Sequence, residues 1–90
     1  MLHEKFMHDL HAADKIHKLV LEYAIQNKLN KVSEIIIELG QVMEHGDAIN
    51  PENLQFNLDM LNKGSVAEGA KIKIKRVFGD SWKLVSISGD

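Results

Sequence analysis

The chain has 90 residues, 44% of them apolar and 27% charged, with a net charge of −2 and no cysteine. Those figures describe one small globular domain and exclude disulfides, thiolate chemistry and cysteine-held zinc. No segment reaches the ~20 apolar residues of a bilayer span, and residues 1–6 lack the basic end and apolar run of a secretory signal, so a cytoplasmic protein without membrane attachment is expected.

Spacing predicts a first helix over residues 7–27. Leu10, Ala13, Ile16, Val20, Tyr23 and Ala24 recur every three or four residues and form one apolar stripe. Residues 31–40 (KVSEIIIELG) read as a strand, rich in β-branched bulk and punctuated by Gly40. The run Ile35, Ile36, Ile37 predicts burial on both faces, hence a central strand. Residues 41–50 read as a loop.

A second helix starts at Asn50, a good N-cap, with Pro51 at the first helical position. Leu54, Leu58 and Leu61 form its stripe, with Phe56 and Met60 flanking, and Lys63-Gly64 is its stop. Residues 70–78 (AKIKIKRVF) alternate as a strand with one wet face. This is the only dense basic stretch, and its alternation marks a solvated strand face and not a phosphate-binding patch, so nucleic acid is not an expected partner. Gly79-Asp80 fits a two-residue hairpin turn into a last strand over residues 81–88. The expected fold is α+β in the order α-β-α-β-β. Two helices pack in two layers on a small three-stranded mixed sheet.

Chemistry concentrates at the start. His3, His8, His11 and His17 are four of the five histidines, and neutral imidazole is a ready ligand for Ni, Cu and Zn. Met1, Leu2 and His3 offer an amine, two backbone amides and an imidazole, four nitrogens that close the square plane suited to Ni(II) or Cu(II). His8 and His11, with Asp14 three residues further on, lie roughly opposite the apolar stripe, where they either chelate an ion or form a solvated face. His17 lies close to the stripe and reads as a packing residue; His45 reads as a surface-loop residue. No glycine-rich phosphate loop or recognisable nucleophile setting appears, so an enzyme is not expected.

Several strings together resemble the HypA/HybF hydrogenase nickel-incorporation proteins. Met7-His8-Asp9-Leu10 looks like the family's Met-His-Glu-Leu opening. Residues 31–40 are similar to its first long strand, and residues 51–56 (PENLQF) to the start of its second helix. Residues 63–70 (KGSVAEGA) resemble its Gly-Thr-x-Ala-Glu-Gly-Ala link into a strand. The resemblance implies a metallochaperone that helps deliver Ni(II) to an apo-hydrogenase, or to urease. His8 would be the carried-over ligand, with Asp9 in place of glutamate, and proteins of the maturation pathway would be its partners.

The chain also departs from the family. With no cysteine it lacks the family's zinc module, and Gly79-Asp80 stands where that module belongs; no structural zinc is expected. Gln41 replaces a usual glutamate. Six residues precede Met7, so with a start at Met1 the amine of the methionine before the histidine, which helps bind nickel in the family, is lost, whereas a start at Met7 would keep it; residues 1–6 are expected to form a leader on a single domain, 1–90. The expected metal residues are His8, Asp9, His3 and Met1. The alternative is an interaction module without metal duty, docking a maturation partner or a second copy through its sheet edge.

Overall fold

The computed structural model describes the backbone of residues 2–44 and 47–90 and the side chains of residues 11–43 and 48–90. The element order is α1 (Leu2–Gln26), β1 (Val32–Leu39), β2 (Met43–Glu44), β3 (Asp47–Ala48), α2 (Pro51–Asn62), β4 (Lys71–Arg76) and β5 (Trp82–Gly89). This is the expected two-layer α+β fold, with two helices on a three-stranded mixed sheet.

α1 buries the stripe its spacing defines, through Ala12, Ala13, Ile16, Val20 and Ala24. It begins at Leu2, five residues before the expected start at Met7. Its end is closed by paired bonds from Leu29 N–H to the Ala24 carbonyl (2.8 Å) and from Lys28 N–H to the Ile25 carbonyl (3.1 Å). Lys28 takes the left-handed position of this cap, with φ 57°, a place that glycine fills at lower cost.

β1 is the central strand, as expected. It pairs parallel with β4 and antiparallel with β5, giving the order β4-β1-β5. Ile35, Ile37 and Leu39 are fully buried on the helix-covered face, beside Ile72 of β4 and Leu84 of β5. The opposite face carries Glu34, Ile36 and Glu38, flanked in register by Lys71, Lys73 and Lys75 of β4 and by Ser88, Ser86 and Lys83 of β5. Ile36 is only half-buried there. Burial on both faces therefore does not hold, because both helices pack on one side.

Two local expectations are corrected. Residues 41–50 hold a short antiparallel ladder of β2 with β3, closed by Ile49 N–H to the Val42 carbonyl at 2.9 Å. Gly79-Asp80 is not a hairpin turn, because β1 lies between β4 and β5. Residues 77–81 instead cross over the end of β1. Gly40 N–H donates to the Ser81 carbonyl (2.9 Å), Gln41 N–H to the Gly79 carbonyl (2.8 Å) and Val77 N–H to the Leu39 carbonyl (3.1 Å). The crossing is so close that a Cβ on Gly40 would stand 2.6 Å from the Gly79 oxygen. Glycine is needed at position 40 for that approach, and not merely to end a strand.

α2 forms as its sequence dictates. The Asn50 side-chain oxygen accepts from Glu52 N–H (2.8 Å) and Asn53 N–H (3.3 Å), satisfying donors that have no partner within the helix. Leu54 and Leu58 are buried against the core, and Gly64 takes a left-handed φ of 80° just past the helix end. α2 packs along α1 and reaches β4, while α1 reaches β5.

Candidate metal site

The four expected metal residues fall where side chains lie outside the described set. His3, His8 and Asp9 are on the first ten residues of the chain, with their backbone in α1. Met1 and His45 lie outside the described residues altogether.

The other candidates have definite surroundings. His11 is exposed on α1. Asp14, its proposed companion, instead pairs with Lys18 one turn on, at 3.0 Å. That is an ordinary surface pair, worth little to stability, but it occupies the carboxylate. Among the described residues no three His, Cys, Asp or Glu side chains are grouped to hold an ion. Among the described residues, His11 and Asp14 read as part of a solvated helix face.

His17 is a packing residue, as its position near the stripe implied. Its Nδ1–H donates to the Asn62 side-chain oxygen at 2.8 Å, across the seam between α1 and α2. Asn62 is 1% exposed and Asn57 6%, and the Nδ2 of each is buried without a partner among the described residues. The bond to His17 satisfies the Asn62 oxygen, which would otherwise be a costly buried acceptor. These asparagines were missed from sequence. The signal was present, since Leu54, Asn57, Leu58, Leu61 and Asn62 follow helical spacing and place both amides on the buried face.

With this geometry in hand, comparison with known proteins defines the class. The family described as "Hydrogenase/urease nickel incorporation, metallochaperone, hypA" matches residues 7–82, from Met7-His8-Asp9 to the first residue of β5. The chain belongs to this HypA family. It is 37% identical over 71 residues to the hydrogenase maturation factor HypA of Methanothermobacter thermautotrophicus, covering 79% of this chain and 55% of that protein. It is 33% identical over 76 residues to the HypA of an Azoarcus species, covering 84% of this chain and 63% of the relative. The corresponding protein of Archaeoglobus fulgidus is 35% identical over 68 residues, with coverages of 76% and 58%. The chain thus spans between 55% and 63% of these relatives' length.

Proposed function

We propose that this chain is a nickel-binding accessory protein that carries Ni(II) toward an apo-hydrogenase, or toward urease, and that it is not an enzyme. The supporting observation is the reach of the family match, which begins at Met7 and so takes in His8 and Asp9. His8 is the principal ligand in this reading, with Asp9 beside it. Nickel is cargo here, received and released, and its handover goes to proteins of the hydrogenase maturation pathway. No structural zinc takes part, since the chain has no cysteine to hold it. Among the described residues no helix is long and apolar enough to cross a membrane, and the proposed place of work is the cytoplasm.

Met1 and His3 supply the second ligand set. The N–H groups of a helix's first turn have no partners within the helix, so α1 does not compete for the amides of Leu2 and His3. Closing four nitrogens in one plane nevertheless requires that turn to unwind. Nickel bound there lowers the far-UV helical signal, whereas nickel bound at His8 leaves it in place. The same experiment separates the sources of affinity. Nickel is titrated into the full chain, a chain starting at Met7 and His8→Ala, with the square-planar absorption band followed alongside the heat of binding. Loss with His8→Ala supports the family site; loss only on removing residues 1–6 moves the site to Met1 and His3.

A second reading is favoured by the fold itself. β5 ends the three-stranded sheet with no strand beyond it among the described residues, which leaves a docking edge. If no chain in the titration binds nickel, a metal-free interaction module derived from this family is the better account.

A further inference from the structure

The two outer strands of the sheet differ sharply. β4 carries four cations in six residues, Lys71, Lys73, Lys75 and Arg76. Turned antiparallel onto itself about Lys73, it would set Lys71 against Lys75 and Lys73 against its own copy. Such an edge is guarded against pairing. β5 carries one charge, Lys83, in eight residues (WKLVSISG). Val85 is 44% exposed on it, and Trp82 and Ile87 are only half-buried.

Its pattern is also self-complementary, and a register irregularity makes it so. Along β1, Glu34, Ile36 and Glu38 face Ser88, Ser86 and Lys83, so these three β5 residues share the open face. Ile35, Ile37 and Leu39 face Ile87, Leu84 and Trp82, which share the helix-covered face. The shift lies between Ile36–Ser86 and Ile37–Leu84, where Val85 is the extra residue. In a regular strand, residues 83 and 88 would point to opposite faces; the extra residue brings them to the same one. Two β5 strands related by a twofold axis between Val85 and Ser86 therefore pair with matched faces. Lys83 meets Ser88 of the second copy, Leu84 meets Ile87, and Trp82 lies over Gly89. No like charges meet, Leu84 and Ile87 form an apolar pair on each side of the axis, and Val85 falls opposite Ser86.

We infer that β5 is the dimer edge of this protein, joining two copies antiparallel into one six-stranded sheet with the order β4-β1-β5-β5-β1-β4. The contact is isologous, and it buries on each copy the outer edge of the three-stranded sheet that, among the described residues, charge leaves unguarded. It names the interface for self-association and does not rest on nickel binding.

Sedimentation equilibrium of the full chain with a chelator present, over a series reaching about 1 mM, tests it. The expected result is a monomer–dimer equilibrium. Ser88→Lys sets two like-charged pairs across the twofold axis and weakens the dimer roughly tenfold; Ser88→Glu tightens it by a similar factor. The double variant Lys83→Glu, Ser88→Lys restores wild-type affinity. Within its own chain Ser88 sits opposite Glu34, so Ser88→Lys does not weaken the monomer fold, and unchanged thermal stability under dilute conditions separates a lost interface from lost folding. A chain that stays monomeric throughout, or a dimer whose affinity ignores the three variants, overturns the proposal.

Discussion

His8 and His17 lie on one helix, and the proposed function divides their work between cargo and scaffold. His17 is engaged: its ring donates to a buried asparagine oxygen and ties α1 to α2. His8 stands at the edge of the family match, in the stretch that carries His3 and Asp9. A count of histidines does not distinguish the two. What does is the company each keeps, since position 17 adjoins the apolar stripe and position 8 belongs to a motif. The contrast predicts that variants at the scaffold end change stability and leave nickel affinity alone, while variants at the N-terminal end do the reverse.

The largest stability effect is expected at the crossing. Gly40→Ala drives a Cβ against backbone atoms of Gly79 and Ser81 that have no flexible end to move. Overpacking of that kind costs about 3 kcal/mol, and denaturant unfolding with urea measures it. His17→Ala is expected to cost about 2 kcal/mol in the same assay, because Asn62 is left buried with its oxygen unpaired. The contrast breaks if His17→Ala leaves stability unchanged and weakens nickel binding instead. Asn50→Ala removes the cap of α2 and should cost about 1 kcal/mol, read as a lower midpoint with an unchanged slope. Smallest is a gain. Lys28→Gly relieves a left-handed residue in the α1 cap and should stabilise by roughly 0.5–1 kcal/mol, seen as a higher melting temperature.

Nickel affinity should depend on pH in one direction. Only the neutral imidazole ring ligates, so acid competes with the metal, and affinity falls as pH drops from about 7.5 toward 5.5. A flat profile would point away from histidine ligation. No scaffold variant should alter the shape of that profile.

Much of the fold was legible because it is written locally. The Asn50-Pro51 start, the Gly64 stop and the α1 stripe each follow from residues within a turn or two of one another. The 79–80 connection was misread for the opposite reason. Its two-residue turn chemistry is local, whereas strand order is not. The sequence did hold the correction, since a central β1 in a three-stranded sheet must separate the other two strands, which forbids a hairpin between them. The β2–β3 ladder is only two residues long on each side, too short to leave a period in sequence. The candidate site rests on the Met7-His8-Asp9 motif, whose side chains lie outside the described set. Helical spacing alone put His11 with Asp14, and Lys18, one turn beyond, takes that carboxylate instead. Asn57 and Asn62 were hidden by composition, because a polar residue on an apolar stripe is recognised only when the stripe is counted through it.

The most direct measurement is the nickel affinity of His8→Ala beside that of His17→Ala, by calorimetry on the full chain at a pH of about 7.5, where imidazole is mostly neutral. The expected result is a loss of at least tenfold for His8→Ala and none for His17→Ala, even though the second is the less stable protein. Equal affinity in His8→Ala and wild type, or a loss confined to His17→Ala, would contradict the account.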